Sequence, residues 1–205
     1  MRRIAIYRKT GQSKGINRER IIRVLLNSQE GLSKYRVSKL SKTSFSWAHK
    51  YLRKLEEEGY LKGTRVVKYR ELIYHWLKIH AQSRRRDYLI QEPFEFLKNV
   101  DMEYALTTYA AENLTQRHLF LSRYDVYVRR EDEEVWSGKL SSIGLMGSGN
   151  FRMLVDDEHV FYNVKKVNGF TIVSLPQLIL DLLVEGGVCG EAADMLLDKM
   201  EGIYV

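Results

Sequence analysis

The sequence predicts an α+β fold in two parts, a basic helical domain followed by a mixed α/β domain. Apolar residues recur at helical spacing up to about residue 80, and β-branched and aromatic runs separated by turn residues follow after residue 120. Charge divides in the same way. Residues 1–90 hold 23 Lys and Arg against 7 Asp and Glu, a net +16, whereas residues 91–205 hold 10 against 19, a net −9. We therefore expect a polyanion-binding module joined to a second unit.

The N-terminal part begins with a basic stretch of 15 residues, which we expect to form an arm or a short edge strand. From Asn17 onward apolar residues repeat at helical spacing until Gly31, which predicts a first helix. Its buried face is expected to consist of Ile21, Ile22, Leu25 and Leu26. Ser33 can cap a second, short helix, and the polar residues 41–43 interrupt its periodicity.

A third helix is predicted after Ser44, which can cap it, and Ser44 and Ser46 can present backbone N–H groups to a phosphate. The inward face is expected to consist of Phe45, Ala48, Leu52 and Leu55. The opposite face carries groups that hydrogen-bond base edges, contact thymine methyl groups and pair with phosphates. That face consists of Ser46, Trp47, His49, Lys50, Arg53 and Lys54.

A tight turn at residues 62–65 separates two short strands, and Arg65 in it can contact the DNA backbone or the minor groove. Helices, turn and hairpin in this order predict an N-terminal winged helix-turn-helix domain that binds double-stranded DNA. The competing interpretation is that the third helix has a merely solvated outer face, with Trp47 in the core.

A fourth helix is predicted from Lys68 to about His80. Its apolar stripe consists of Leu72, Ile73, Trp76, Leu77 and His80, and it either buttresses the wing or forms a dimer contact. Arg84, Arg85 and Arg86 follow in a stretch without clear periodicity, and Pro93 marks a further break. We place the winged-helix domain at residues 1–82, a linker at 83–95 and the mixed α/β domain at 96–205. The three arginines either reach DNA phosphates from the linker or are simply solvated.

The second domain is predicted to begin with a helix from Asp101 whose buried side includes Ala105, Leu106 and Ala110. A strand follows at 124–129 and a short helix at 133–143. Three strands in a meander are predicted at 151–155, 160–164 and 170–173, and Asn168-Gly169 is the strongest hairpin signal in the chain. A helix opened by Pro176 and ended by Gly186-Gly187, and a last helix at 190–201, complete the domain.

Catalytic and metal-binding residues are not evident. The histidines, which have neither metal-ligand spacing nor nearby cysteines, are His49, His75, His80, His118 and His159. Cys189 is alone and is expected to pack in the interior, and Asp181 and Asp194 are expected to be surface or capping groups. Gly147-Ser148 with Asp156-Asp157-Glu158 resembles a nucleotidyltransferase site in outline, but the acids have the wrong spacing, so a polar turn is expected. We therefore expect no enzyme, no catalytic residue, no cofactor and no metal.

A membrane location is not indicated. No apolar run approaches the roughly 20 residues that a membrane-spanning helix needs, and the start of the chain lacks a secretory core before the next charges. We therefore expect a cytoplasmic protein with no membrane partner.

The run from Val173 to Leu183, followed by Gly186-Gly187 and by Glu191 to Leu197, resembles the C-terminal signature of AbiEi-type antitoxins and related regulators. Tyr104 to Thr107 and the strand at 124–129 fit the pattern of that family in the correct order. The resemblance implies a winged-helix DNA-binding repressor, often of its own operon, which in some members is paired with a nucleotidyltransferase toxin.

The sequence thus predicts a transcriptional autorepressor with antitoxin-like features, in which the acidic domain mediates homodimerisation or partner binding. The alternative from another class is a protein-interaction module of a transcription or replication assembly, with Phe45 and Trp47 as exposed anchors. A nucleotidyltransferase-like enzyme is the third candidate.

Overall fold

The computed structural model describes the backbone of residues 10–204 and the side chains of residues 15–201. This part of the chain forms a mixed α+β fold with nine α-helices, a two-stranded hairpin and a seven-stranded sheet. The helices are α1 (Thr10–Leu26), α2 (Lys34–Leu40), α3 (Phe45–Glu57), α4 (Tyr69–Ile79), α5 (Pro93–Asn99), α6 (Thr108–Thr115), α7 (Glu133–Ile143), α8 (Leu175–Glu185) and α9 (Val188–Tyr204). The strands are β1 (Leu61–Lys62), β2 (Arg65–Val66), β3 (Arg84–Ile90), β4 (Tyr104–Thr107), β5 (Tyr124–Val128), β6 (Gly144–Met146), β7 (Phe151–Val155), β8 (Lys165–Val167) and β9 (Phe170–Ile172).

The predicted arm falls largely outside the described residues, which begin at position 10. Residues 10–15, included in that prediction, belong to α1. The expectation of an arm or edge strand is therefore wrong for these six residues and stays a prediction for the first nine.

The large sheet has the strand order β6-β3-β7-β5-β4-β9-β8. The pairs β5–β7 and β4–β9 are parallel, and the other four pairs are antiparallel. Asn168 and Gly169 join β8 to β9 with φ angles of 50° and 87°, the left-handed values that a two-residue type I′ turn requires. The hairpin predicted at these two residues is confirmed.

The predicted caps of α2 and α3 are confirmed. The hydroxyls of Ser33 and Ser44 accept hydrogen bonds from the backbone N–H groups of Arg36 and Trp47. The buried residues of α3 are Ala48, Tyr51, Leu52 and Leu55. Phe45, predicted to lie inward, is 50% exposed. One turn before Ala48, the centre of the buried stripe passes through Ser44, four positions earlier. Phe45 therefore lies at the margin of that stripe.

The seven-stranded sheet is covered on both faces. On one face the indole of Trp136 in α7 makes edge-to-face contacts with Phe96 and Tyr104, at centroid distances of 5.8 and 6.1 Å. On the other face Asp181 of α8 accepts hydrogen bonds from Thr107 in β4 and Tyr127 in β5. Asp181, expected at the surface, is therefore buried, because its carboxylate pairs with polar side chains of the strands.

The helices α1 to α4 with the hairpin β1–β2 are called the helical part, and the seven-stranded sheet with α5 to α9 is called the sheet part. The two parts pack directly on each other, with α1 and α4 on one side and α8 and α9 on the other. Arg23 of α1 is buried, donates to Gln177 Oε1 at 2.8 Å and lies 5.0 Å from the ring centroid of Trp76. Arg70 of α4 pairs with three acids of α9, which are Asp194, Asp198 and Glu201. The buried apolar residues of the two parts form one continuous cluster, and the division into domains at 1–82 and 96–205 stays a prediction.

Residues 83–95 do not form the expected linker. They contain β3, which is hydrogen-bonded to β6 on one side and to β7 on the other, and Pro93 at the start of α5. Arginines at three successive positions conceal the period-two pattern of a strand. The structure allows them there because Arg84 and Arg86 pair with Glu133 of α7.

The helix predicted from Asp101 is wrong in its first half. Tyr104 to Thr107 form β4, whose four residues are all buried, and α6 begins only at Thr108. Alanine and leucine favour a helix, but this segment lies between β5 and β9, so strand pairing overrides local propensity.

The predicted three-strand meander is also wrong. Residues 158–161 form a 3₁₀ turn capped by Asp157, and the next strand begins at Lys165. β7 lies between β3 and β5, far along the sheet order from β8. The short β-branched run at 160–164 does not form a strand because His159 and Val160 are instead buried within the turn.

The remaining predicted elements are confirmed. They are α4, β5, α7, β7, β9, α8 and α9, with α8 ended by Gly186 and Gly187 at φ angles of 73° and 55°. Cys189 is buried, as expected. No helix within residues 10–204 combines the length and the apolar character that crossing a membrane requires.

Candidate nucleic-acid interface

The outward face of α3 carries the residues that the sequence singles out. Ser44, Ser46, His49, Lys50, Arg53 and Lys54 are all exposed. Trp47 is half-buried, and its ring lies 5.5 Å from that of Tyr51. Trp47 therefore sits at the rim of the core, between the two positions considered from the sequence. The structure brings all seven residues together on one helix and its cap.

Two cations at the C-terminal end of α3 have carboxylate partners on the same helix face. Arg53 Nε lies 2.8 Å from Glu57, and Lys54 Nζ lies 3.5 Å from Glu58. Exposed pairs of this i,i+4 kind contribute roughly 0.3–0.5 kcal/mol each, so a phosphate can replace the carboxylate at little cost. Within the described residues Lys50 has no carboxylate in ion-pair distance.

The hairpin β1–β2 is fixed to α3 and to the loop before α2. The backbone N–H of Gly63, with φ of 69°, donates to Glu56 Oε1 at 2.7 Å, and the Thr64 hydroxyl donates to the carbonyl of Leu32. Arg65 is exposed and stands directly opposite Lys62 in the register. Like charges opposite each other are destabilising in a hairpin, and a bound anion would relieve that repulsion.

The charge around α2 and α3 has one sign over a long stretch. Residues 31–55 contain 7 Lys and Arg and no Asp or Glu. One of these cations, Lys42, pairs with Glu158 at 2.7 Å. The others lie on α2 and α3, so the positive potential is concentrated on one side of the helical part.

Arg18 of α1 belongs to the same surface and was not among the residues predicted from the sequence. Its guanidinium lies 5.9 Å from the ring centroid of Tyr51, and it lines an open groove with Trp47, Lys50 and Arg53. Arg18 precedes Ile21, Ile22 and Leu25 by three, four and seven positions, so it extends the apolar face of α1 by one turn towards the N-terminus. That this end of α1 meets α3 does not follow from periodicity, because it depends on how the two helices pack.

The three arginines at 84–86 are not part of this surface. Arg84 and Arg86 face α7, where Glu133 pairs with both, and Arg86 also donates to Ser137. Arg85 points to the opposite face of β3. There it lines a polar cavity of about 430 Å³ with Tyr127 and other residues.

The acidic turn after β7 serves the helical part. Asp157 accepts two hydrogen bonds from Arg20, at 2.7 and 2.5 Å, and Asp156 accepts one from Ser83. Burial opposes ionisation of Asp157, but the bonds from Arg20 hold its pKa below the usual value. In residues 15–201 no three His, Cys, Asp or Glu side chains are arranged to hold a metal ion. The turn is thus occupied by ion pairs.

His159 in this turn joins the sheet part to α1 and α2. Its Nε2 lies 2.9 Å from the carbonyl of Leu40, and Arg23 lies 3.2 Å from its Nδ1. Burial and the neighbouring Arg23 lower the pKa of His159 to about 4. A neutral ring with the proton on Nε2 satisfies both contacts.

Asp181 of α8 has the carboxyl group whose pKa is shifted furthest from its usual value among the described residues of the sheet part. Burial raises its pKa to about 6, although Thr107, Gln177 and Tyr127 all donate hydrogen bonds to it. It borders the polar cavity that Arg85 lines. A carboxyl group with a shifted pKa is common at functional sites, and purely structural networks of charged and polar side chains also contain such groups.

Comparison of the chain with known proteins gives no match among family models, curated proteins or solved structures. The resemblance to AbiEi-type antitoxins therefore stays a prediction from the sequence.

Proposed function

We propose that the described residues of the predicted domain, up to residue 82, form a winged helix-turn-helix that binds double-stranded DNA, with α3 as recognition helix and β1–β2 as the wing. The observation that carries the proposal is the exposed basic face of α3 within a segment of 25 residues, 31–55, that lacks any acidic residue. A face of this kind neutralises phosphates, and its polar groups hydrogen-bond base edges in the major groove.

Each side chain has a role in the proposal. His49 and Lys50, in the first turns of α3, and Arg53, one turn further along the same face, contact base edges in the major groove. Lys54 and Arg65 contact phosphates, and the free backbone N–H groups near Ser44 and Ser46 hold another phosphate. Arg84 and Arg86 have no role here because α7 engages them.

In the cell the proposed activity is that of a cytoplasmic transcriptional regulator that represses its own operon. The sheet part supplies the partner contact. Its strand β6 has exposed apolar side chains, with Leu145 72% and Met146 64% accessible. Among the described residues no strand pairs with the outer edge of β6, and such an edge favours pairing with a second copy of the chain. We expect from the sequence that the chain forms a homodimer. The resemblance to AbiEi-type antitoxins also implies a nucleotidyltransferase toxin as a second partner.

The test is fluorescence anisotropy with a duplex from the region upstream of the gene and a scrambled duplex of equal composition, at several salt concentrations. We expect tighter binding to the upstream duplex and a logarithmic affinity that falls linearly with the logarithm of salt concentration. Equal and weak binding to both duplexes would reduce the proposal to charge attraction.

One observation favours the alternative, a protein-docking module. Phe45 is exposed, as that alternative requires, although its second anchor, Trp47, is half-buried. The two functions separate in a competition experiment. Specific duplex DNA displaces a protein partner only if both use the face of α3.

A further inference from the structure

An exposed group of three rings lies at the N-terminal end of α3. The ring of Phe45 lies 6.5 Å from that of Tyr35 and stacks at 6.0 Å on that of His49. Tyr35 is 60% exposed and Phe45 is 50% exposed. We call these three residues the aromatic ledge. Single exposed apolar residues are ordinary on protein surfaces, but a contiguous group of rings indicates a contact surface.

The surroundings of the ledge indicate a polyanion as its occupant. Lys39 holds its ammonium group 5.3 Å from the ring centroid of Tyr35. The ledge lies wholly within the segment without acidic residues. Among the described residues, the flanking cations with no carboxylate in ion-pair distance are Lys34, Arg36, Lys39 and Lys50. A nucleic acid supplies negative charge on this scale.

We infer that the aromatic ledge recognises thymine methyl groups in the major groove, and that this chain selects sites with thymine opposite Phe45. The inference rests on the proposed function. The base edges in the major groove of unmodified B-DNA present hydrogen-bonding groups and one apolar group, the C5-methyl of thymine. An apolar ring between phosphate-binding cations at the start of a recognition helix meets that methyl group.

Insertion of Phe45 between base pairs does not fit this placement. Side chains that wedge between base steps act from the minor groove, whereas the polar and cationic face of α3 calls for the major groove. Contact without insertion also suits the packing of Phe45 on His49, which holds the ring along the helix surface.

The experiment begins with selection of duplexes from a random library by the full chain. The selected duplex is then prepared with deoxyuridine in place of each thymidine, which removes one methyl group and leaves base pairing unchanged. We expect the affinity of the wild-type chain to fall by about 4-fold for each contacted methyl, because burial of one methyl-sized group is worth about 0.8 kcal/mol. The same replacement outside the selected site is expected to have no effect.

The variant Phe45→Ala decides whether the ledge is responsible. It is expected to bind thymine and uracil duplexes equally, while Phe45→Leu keeps part of the preference for thymine. Phe120→Ala removes a phenylalanine that is 87% exposed in the sheet part and is the matched control, with an unchanged preference. Thermal unfolding followed by circular dichroism checks that each variant is folded.

The outcomes separate the inference from the proposed function. If no consensus emerges from the selection, sequence-specific binding itself fails. If a consensus emerges and the wild-type chain binds the uracil duplex as tightly, the ledge does not contact methyl groups and the inference is overturned. If Phe45→Ala weakens binding to both duplexes by the same factor, or to neither, Phe45 acts on α3 or on another partner, which overturns it as well.

Discussion

Cationic side chains have different surroundings in the two parts of the molecule. In the sheet part Arg123, Arg129 and Arg152 each pair with a carboxylate, so their charge is neutralised within the fold. On α2 and α3 most cations face solvent, and the pairs at Arg53 and Lys54 are exposed. The difference indicates that these three arginines stabilise the fold, whereas the cations of α2 and α3 are available to a ligand. The contact between the helical part and the sheet part is called the junction. There Arg20 pairs with Asp157 and the buried Arg23 donates to Gln177, so these two side chains are also held within the fold.

The largest expected effect comes from the buried arginine at the junction. Arg23→Met is expected to lower the free energy of unfolding by about 3 kcal/mol, because it leaves Gln177 and Glu19 without their buried cation. Urea denaturation measures it. Arg53→Met, at an exposed position of α3, is the matched control and is expected to change stability by less than about 0.5 kcal/mol. Equal effects of the two substitutions would contradict the distinction between junction and interface.

A pH effect of similar size is expected from His159. Its folded pKa of about 4 lies below the unfolded value of 6.5, so its contribution to stability is complete above pH 6.5 and is lost as the pH falls toward 4. A shift of about 2.5 units corresponds to roughly 3 kcal/mol as an upper bound. His159→Gln cannot be protonated, so the stability difference between variant and wild type should change by up to this amount between pH 7.5 and pH 4.

Urea denaturation of both proteins at the two pH values gives this difference directly. A difference that does not vary with pH would mean that His159 is not buried as a neutral ring, and the contact between the acidic turn and α2 would then need revision.

A smaller effect is expected on DNA binding. Lys50→Ala or Arg53→Ala should weaken specific binding by roughly 1–3 kcal/mol if these residues contact bases. The same substitutions should weaken binding to unrelated duplexes by a smaller amount. Arg65→Ala should weaken binding to all duplexes alike and reduce the salt slope by about 1. Lys166→Ala, on the exposed face of edge strand β8, is the control and should change neither. An unchanged affinity in the double variant of Lys50 and Arg53 would rule out the assignment of α3.

The smallest effect is expected at Arg84. Because Glu133 engages this side chain, Arg84→Ala should leave DNA affinity within the error of the anisotropy measurement. A loss of affinity comparable to that of Arg65→Ala would extend the interface across the junction to β3. The comparison between the two parts would then no longer hold for that strand.

The sequence predicted features that depend on neighbouring residues. Caps at Ser33 and Ser44, the turn at Asn168-Gly169 and the end of α8 at Gly186 each follow from local backbone chemistry. The outward face of α3 followed from periodicity, which failed at Phe45, the first residue of the helix, and did not single out the buried Tyr51.

Features that depend on distant partners could not be predicted in this way. β3 and β4 are strands because of the neighbours they pair with, and their sequences alone read as a linker and a helix. Asp181 is buried because Thr107 and Tyr127, distant in sequence, donate to it. The contribution of Arg18 to the candidate interface depends in the same way on the packing of α1 against α3.

The hydrogen bonds of Arg23 have a consequence for the synthesis of the chain. Its two polar partners, His159 and Gln177, lie 136 and 154 positions later in the chain. The helix α1 therefore leaves the ribosome long before either partner is synthesised. Until then the guanidinium has only the Trp76 ring and the charge of Glu19 as partners within the described residues of the helical part. We therefore expect truncated products that end before the acidic turn to be cleaved by proteases faster than the full chain.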